Sequence, residues 1–201
     1  MIAVLDYGIG NLRSAQKALE RVSGDEVRLA TEPSAAEGAA GVVLPGVGAF
    51  GRCMEALREC SLDGVAKDAA AAGIPFLGIC VGMQMLYEGS DEDPDVPGLG
   101  LLAGRITRLP DGVKRPQMQW NALNLRPSAG VLFAGVDDGD WVYFVHSYGA
   151  PLDEHVIATV DYGGPVAAAV ATGRLWATQF HPEKSAAVGL RILANFAALC
   201  G

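Results

Sequence analysis

The stretch Gly78-Ile79-Cys80-Val81-Gly82-Met83-Gln84 decides how we interpret this chain. It follows a short apolar run, Pro75–Ile79, that predicts a buried strand, and the four-residue spacing of Val81 and Met85 predicts a helix after it. Gly-x-Cys-x-Gly between a strand and a helix is the form of a nucleophile elbow, because side chains at either glycine would collide with the sharp turn or the packed helix. Free N–H groups at the start of that helix favour a thiolate. The alternative is an inert, buried cysteine in front of a helix.

Length, composition and charge limit the classes of protein that this chain can represent. Its 201 residues suit one domain with a substantial core, which we place at residues 1–201. No run approaches the ~20 apolar residues of a membrane span. The first residues lack the basic start and cleavage site of a signal peptide, so we expect a cytoplasmic protein with no membrane contact. A net charge of −8 argues against non-specific nucleic-acid binding.

The other three cysteines are given no chemical role. No Cys-x-x-Cys pair is present, so the sequence predicts no zinc site and no other metal site. On one helix, Cys53 and Cys60 would lie ~10 Å apart, too far for a disulfide, and we interpret both as small buried hydrophobes. Cys200 closes the last helix and is interpreted as inert.

The order of apolar segments predicts an α/β fold. Strand patterns alternate with helical ones, which is typical of a doubly wound, mostly parallel central sheet with helices on both faces. The strand patterns are Ile2–Leu5, Glu26–Leu29 and Gly41–Leu44, and the helical ones are Leu12–Val22, Arg52–Cys60 and Leu62–Ala72. Later strand-like segments, which we expect to extend the sheet and add a smaller antiparallel layer, are Gly104–Leu109, Ala122–Leu125, Trp141–Val145, Val156–Val160, Val166–Val170 and Leu175–Phe180. A final helix is predicted at residues 186–199.

Three loops are expected at the carboxyl ends of the parallel strands, where such sheets hold their active sites. The turn at residues 6–11 has two glycines, but Arg13 stands where a dinucleotide fingerprint needs a third, so we predict no nucleotide site. Asn11 is interpreted as the cap of the following helix.

The loop at residues 45–51 has two interpretations. It is either a tight strand-to-helix turn or a loop whose N–H groups face an oxyanion, since the glycines that flank Val47 let its peptide plane turn over. The acidic run at residues 91–95 is interpreted as a solvated surface loop.

A second motif, His181-Pro182-Glu183, supplies an imidazole and a carboxylate two residues apart. The proline favours extended backbone before it, so both side chains are expected to point to the same side. Alone, such a motif is more often a simple loop. Together with Cys80 it completes the set needed for acyl transfer through a thioester. Of the other histidines, His146 is either structural or part of the site, and His155 is expected at the surface.

These motifs resemble those of the class I (triad) glutamine amidotransferases. The segments 6–12, 45–50, 143–148 and 179–185 further resemble the glutaminase subunits of imidazole glycerol phosphate synthases, in the same order and spacing along nearly the whole chain. The resemblance implies a Cys80, His181 and Glu183 triad that acts on glutamine without a cofactor. It also implies an oxyanion hole and a set of glutamine contacts: Gly46, Val47, Gly48 and Val81 for the first, and Gln84, Ser147 and Tyr148 for the second.

The same resemblance implies a protein partner. In the family, ammonia passes to a separate (β/α)8-barrel cyclase subunit in a heterodimer, which makes imidazole glycerol phosphate and an aminoimidazole carboxamide nucleotide in histidine biosynthesis. Asn11, Trp120 and Lys184 are our candidates for the surface that senses this partner. Family members usually have histidine and glycine where this chain has Gln117 and Gln119, which puts the partner contact or its regulation in question.

Two other classes of function stay open. One is a different enzyme on the same fold, either the glutaminase of a pyridoxal phosphate synthase or a cysteine hydrolase of another substrate. Gln84, Asn11 and the segment 146–148 favour the histidine pathway over these. The other is a binding subunit without turnover, against which the intact triad argues.

Overall fold

The structure, a computed structural model, describes residues 1–201 and is built on an eight-stranded sheet of order β2-β1-β3-β4-β13-β12-β11-β8. The thirteen strands are β1 (Ile2–Leu5), β2 (Val27–Ala30), β3 (Gly41–Gly46), β4 (Phe76–Cys80), β5 (Gly89–Ser90), β6 (Arg105–Arg108), β7 (Gln117–Ala122), β8 (Asn124–Leu125), β9 (Trp141–His146), β10 (Tyr148–Gly149), β11 (Val156–Asp161), β12 (Pro165–Thr172) and β13 (Leu175–Thr178). The α-helices are α1 (Leu12–Val22), α2 (Phe50–Glu59), α3 (Leu62–Ala71), α4 (Val81–Gln84) and α5 (Ala186–Ala198), and 3-10 turns occupy Pro33–Ala36, Pro127–Phe133 and Pro182–Lys184.

The parallel half of the sheet agrees with the expected doubly wound fold. Strands β2, β1, β3, β4 and β13 pair in parallel, while β12, β11 and β8 continue the sheet in antiparallel pairs. Helix α1 packs with α5 and α2 packs with α3, and these pairs flank the sheet. The strands β1, β3 and β4 are buried along their whole length, as continuous apolar runs predict.

The smaller sheets hold three strands that the sequence did not predict, namely β5, β7 and β10. One contains β10, β6 and β5, and the other pairs β7 with β9 in antiparallel register. In β7 the expected alternation is inverted, since Gln117 is fully buried whereas Met118 is 62% exposed. Residues 117–122 do alternate polar and apolar with the period of two that identifies a strand, but the polar Gln117 is the buried member.

The helix after Cys80 is shorter than the spacing of Val81 and Met85 suggested. Helix α4 is a single turn that ends at Gln84, and Met85 to Tyr87 continue as buried turns. A helix this short contributes little macrodipole, so the sulfur depends on its other neighbours for charge stabilisation. None of the helices is long and apolar enough to cross a bilayer.

Candidate active site

Cys80 lies at the junction of β4 and α4 in a strained backbone conformation. Its φ of 56° and ψ of −111° fall outside the regions that L-residues favour, as a nucleophile elbow requires. The turn is packed so closely that a Cβ on Gly82 would lie 1.8 Å from the carbonyl oxygen of Leu44. A Cβ on Gly78 would meet Gly82 at 3.1 Å. The predicted reason for both glycines is therefore correct.

His181 and Glu183 form the expected pair on the neighbouring strand end. His181 Nδ1 lies 2.9 Å from Glu183 Oε1, and both side chains are buried. The backbone that joins them is a 3-10 turn over Pro182–Lys184 and not the extended segment that we expected, because proline starts such a turn readily. Ser185 Oγ donates a 2.7 Å hydrogen bond to the His181 carbonyl and holds this turn.

One cavity brings the cysteine and the histidine together. It measures about 260 Å3, and its lining includes Cys80, His181 and two of the residues predicted for the oxyanion hole, Val47 and Gly48. Drug-sized ligands occupy pockets of about 300–1,000 Å3, so this one suits a molecule the size of an amino acid. A larger depression at the opposite end of β4, around Lys67 and Arg174, is lined by neither cysteine nor histidine.

The imidazole of His181 is set up to exchange a proton inside this cavity. Burial alone would lower the pKa of His181, but the Cys80 sulfur and the Glu183 carboxylate raise it to about 9. Nδ1 is occupied by Glu183, whereas Nε2 is buried and has no hydrogen-bond partner. Nε2 is therefore the atom available to a substrate.

Two carbonyl groups, one at the end of β3 and one in the loop that follows, accept hydrogen bonds from side chains. The Tyr7 hydroxyl donates a 2.6 Å hydrogen bond to the Pro45 carbonyl, and the Cys53 thiol lies 3.2 Å from the Val47 carbonyl. Gly48 has a φ of 89°, which favours glycine. The peptide between Gly46 and Val47 thus lies between two anchored neighbours. Cys53, which we had interpreted only as a small hydrophobe, is buried and also holds this loop.

The three predicted glutamine contacts, Gln84, Ser147 and Tyr148, all line the cavity. Gln84 is nearly fully buried, and its Nε2 donates to the Tyr148 carbonyl at 3.0 Å. With its nitrogen used inside the protein, Gln84 has its amide oxygen left for a ligand.

His146 also lines the cavity and is part of a buried polar chain. Burial lowers its pKa to about 4, so the ring is neutral, and Nδ1 must donate to the Tyr148 carbonyl at 2.7 Å. Nε2 then needs a donor, and it lies 2.9 Å from the side-chain amide of Gln117, whose own nitrogen is otherwise unpaired. A 180° rotation of that amide satisfies both groups. Gln117, the departure from the family pattern, therefore supports a residue of the site wall.

Sequence reasoning missed Glu92. This residue belongs to the acidic run that we expected to be solvated, yet it lines the cavity and its Oε2 accepts the Phe50 N–H at 2.9 Å. Asp93 Oδ2 likewise accepts the Gly51 N–H at 2.8 Å. The two carboxylates cap helix α2, which has no cap of its own. No sequence pattern links residues 42 positions apart, so only the fold reveals this role.

The three candidate partner residues lie close to the His181–Glu183 pair. Asn11 does not cap α1 as expected, because its Nδ2 donates instead to Glu183 Oε1 at 3.3 Å. Lys184 is exposed directly after Glu183. Trp120 is 42% exposed and packs edge-on against Tyr143, whose carbonyl accepts the His181 N–H.

Comparison with known proteins gives consistent results. A family model described as "Glutamine amidotransferase class-I" matches residues 3–199. The chain is 49% identical to the imidazole glycerol phosphate synthase subunit HisH of Deinococcus radiodurans, over 97% of this chain and 92% of that protein. It is 46% identical to the subunit of the same name from Moorella thermoacetica, over 98% and 94% of the two chains.

Solved structures agree at the level of the fold. A crystal structure titled as a glutamine amidotransferase superposes with a TM-score of 0.78 at 23% identity and covers 100% of this chain and 98% of that one. The structure of PurLQS from Thermotoga maritima gives a TM-score of 0.74 at 21% identity, with 97% and 96% covered. At these identities the likeness bears on the α/β fold alone, and it agrees with the sheet described above.

Proposed function

The chain belongs to the class-I glutamine amidotransferases and, within them, to the HisH subunits of imidazole glycerol phosphate synthase, and from that premise we propose how its residues carry out the reaction. Members of this family supply ammonia from glutamine in histidine biosynthesis, and this chain is such a subunit. The observation that carries the proposal is the cavity in which Cys80 lies with a carboxylate-paired His181.

The first half of the reaction forms a thioester. The Cys80 thiolate attacks the γ-carboxamide carbon of glutamine. With a pKa of about 9, His181 is an imidazolium at neutral pH, so Nε2 already holds the proton that the departing ammonia needs. Glu183 keeps the ring oriented through Nδ1. In the second half, the now neutral His181 activates water, which cleaves the thioester to glutamate.

The oxyanion of each tetrahedral intermediate is held by backbone N–H groups of Val81 and of the Gly46–Gly48 loop. Losing one such donor typically costs about 3–4 kcal/mol of barrier stabilisation. Support comes from the anchoring of Pro45 and Val47 by Tyr7 and Cys53, which leaves the peptide between Gly46 and Val47 as the one free to turn between two held neighbours. We therefore propose that the isolated subunit is a poor glutaminase until its partner sets this peptide.

Glutamine is a zwitterion, and the cavity wall has groups for its polar ends. Gln84, Ser147 and Tyr148 contact the substrate, and the Gln84 oxygen suits its amide. Glu92 supplies a carboxylate at the cavity edge for the α-ammonium group. No metal or organic cofactor takes part in these steps.

The ammonia passes to a (β/α)8-barrel cyclase subunit with which the chain forms a heterodimer. The docking surface includes Asn11, Trp120 and Lys184. Asn11 contacts Glu183 directly, and Trp120 contacts the residue that holds the His181 backbone, so a partner bound here meets the triad from outside.

The test measures glutamate formation from glutamine by the chain with and without its cyclase subunit. We expect the free chain to be slow, the complex to be fast, and Cys80→Ser to be inactive in the complex with its fold unchanged. Hydrolysis by the Cys80→Ser complex would show that Cys80 is not the nucleophile. Equal rates of the free chain and the complex would refute the gating of the Val47 peptide by the partner.

Two alternatives predict other results. A cysteine hydrolase of another substrate, or the glutaminase of a pyridoxal phosphate synthase, would prefer other molecules or another partner in a substrate and partner panel. A binding subunit without turnover would not be labelled at Cys80 by an electrophilic glutamine analogue. The strained elbow at Cys80 argues against this last alternative, because such strain is usually retained for function.

A further inference from the structure

Gln179 lies beside Cys80, directly after the end of the neighbouring strand β13. Strands β13 and β4 pair in parallel, with Thr178 opposite Ile79, so Gln179 follows at the level of Cys80. Its side chain is fully buried, and its Nε2 is 3.7 Å from the Cys80 sulfur. Neither the triad nor the substrate contacts proposed above use it.

Which end of the Gln179 amide faces the sulfur is decided by a chain of hydrogen bonds that ends on a carbonyl. The Tyr148 carbonyl can only accept, so Gln84 must turn its Nε2 toward it. The same Nε2 lies 3.1 Å from Gln179, which must therefore present its oxygen to Gln84. The nitrogen of Gln179 is then left for the sulfur. His146 donates to the same Tyr148 carbonyl and reinforces this starting point.

A donor at this place favours one form of Cys80. An N–H group donates to a thiolate and cannot accept the S–H of a thiol. Another polar neighbour, the Val145 carbonyl at 3.9 Å, suits a thiol S–H instead. Because α4 is a single turn, its N-terminus offers little of the stabilisation that a long helix gives. His181 faces the sulfur as an imidazolium, and Tyr7 and Cys53 are neutral neighbours because burial raises the pKa of both. Gln179 adds a donor that carries no charge and does not titrate.

We infer that Gln179 is a positioning residue of the reaction: its side-chain N–H, oriented through Gln84 and the Tyr148 carbonyl, stabilises the Cys80 thiolate. The inference rests on the proposed nucleophilic role of Cys80. It assigns to the fixed Gln84–Gln179 pair a function in sulfur reactivity that is separate from glutamine binding.

The experiment follows alkylation of Cys80 by iodoacetamide as a function of pH in the full chain, with the Cys80 peptide quantified by mass spectrometry apart from those of Cys53, Cys60 and Cys200. In Gln179→Met, which keeps the length but lacks the donor, we expect alkylation at pH 7 to fall roughly tenfold and the profile to move up by about one pH unit. Gln179→Asn, whose shorter amide withdraws the donor, should lie in between. In complex with the cyclase subunit, kcat for glutamine should fall while KM stays within about twofold.

Thr178→Val is the matched control, because it removes the hydrogen bond of Thr178 to the Phe180 carbonyl on the same segment without touching the sulfur. Its alkylation profile should match that of the wild type. The inference is overturned if both Gln179 variants keep the wild-type profile, or if Thr178→Val shifts it equally. Alkylation requires no glutamine, so the two proposals can fail separately. A wild-type complex with the cyclase subunit that lacks glutaminase activity would refute the proposed function, while the alkylation profiles would still decide the role of Gln179.

Discussion

At the scale of single residues, the elbow depends on the absence of a side chain at one position. A Cβ on Gly82 would lie 1.8 Å from the Leu44 carbonyl oxygen, which is backbone of the central sheet and cannot move aside. The same position faces Gly46, whose own Cβ would lie 2.9 Å from the Gly82 nitrogen. The turn at Cys80 and the loop that follows β3 are therefore packed backbone to backbone, which explains how both reach the same cavity.

We expect Gly82→Ala to lower the free energy of unfolding by about 3 kcal/mol or more, because the new methyl group separates α4 from β3. The control is Gly64→Ala in helix α3, where a Cβ meets nothing within 4 Å. There the alanine should stabilise the protein by about 0.5–1 kcal/mol. Urea unfolding of the two variants measures both effects, and similar stabilities for the pair would contradict the packing argument.

Two buried histidines give the stability of the protein opposite dependences on pH. His146, with a pKa of about 4 in the fold, stays neutral where the unfolded chain takes up a proton. The unfolded state therefore gains stability as pH falls from about 6.5 toward 4, and the cost to the fold approaches roughly 3 kcal/mol. His181, with a pKa of about 9, stabilises the fold below pH 6.5, and this contribution is lost as pH rises toward 9.

The first of these effects is tested by the difference between the wild type and His146→Asn, which has no group that titrates there. Subtracting the two unfolding profiles removes the carboxylates that both proteins share. We expect the difference to grow between pH 6.5 and 4 and to level off below pH 4. A difference that is flat over this range would show that His146 takes up its proton in the folded protein at the same pH as in the unfolded chain.

At the scale of elements, the pattern of apolar residues predicted the buried strands of the central sheet. It was misleading in a segment whose polar residue supports the site. Strands β1, β3 and β4 need continuous apolar runs because both their faces are covered, so their sequences identified them. In strand β7 the period of two is present, but it predicts the wrong buried face, because the polar Gln117 points inward to support His146 and the apolar Met118 points outward. Such inversions are local conflicts with the fold, and they mark functional segments.

The acidic loop after β5 shows a second limit of sequence reasoning. Asp91 to Asp95 resembles any charged surface loop, yet two of its carboxylates cap a helix that starts more than forty positions earlier. Capping needs only an oxygen near an unpaired N–H group, and the chain distance between them leaves no trace in the sequence.

This capping gives a prediction for helix α2. Asp93→Ala should lower the free energy of unfolding by about 1 kcal/mol, because the Gly51 N–H loses its acceptor at the positive end of the helix. Asp95→Ala, in the same loop but exposed, should change it by less than about 0.5 kcal/mol. Thermal or urea unfolding measures the free energy of unfolding of both variants. Equal effects would mean that the loop stabilises the protein only through its charge.

At the scale of the whole molecule, the outer face of the β7–β9 sheet is the most prominent exposed apolar surface near the triad. In antiparallel register Trp120 pairs with Tyr143 and Ala122 pairs with Trp141, so the side chains that share this face include Met118, Trp120 and Trp141. These three are 62%, 42% and 57% exposed, which is unusual for side chains of this size. The opposite face of the same two strands carries Gln117 and His146, the support of the site wall. A protein bound outside is thus one β-sheet away from the cavity that holds Cys80.

The last prediction concerns this face. Trp120→Ala should weaken binding of the cyclase subunit by about 2 kcal/mol, or roughly thirtyfold in Kd, because large aromatic side chains near the centre of an interface dominate its energy. Leu152→Ala is the control, since Leu152 is 48% exposed on a different loop and its truncation should leave Kd unchanged. Titration calorimetry gives both constants, and glutaminase assays at saturating cyclase show whether the bound variant still reaches the wild-type rate. If Trp120 only docks the partner, the rate is restored at saturation. If it also transmits the signal through Tyr143 to His181, the rate stays low, whereas unchanged Kd and rate would place the interface elsewhere.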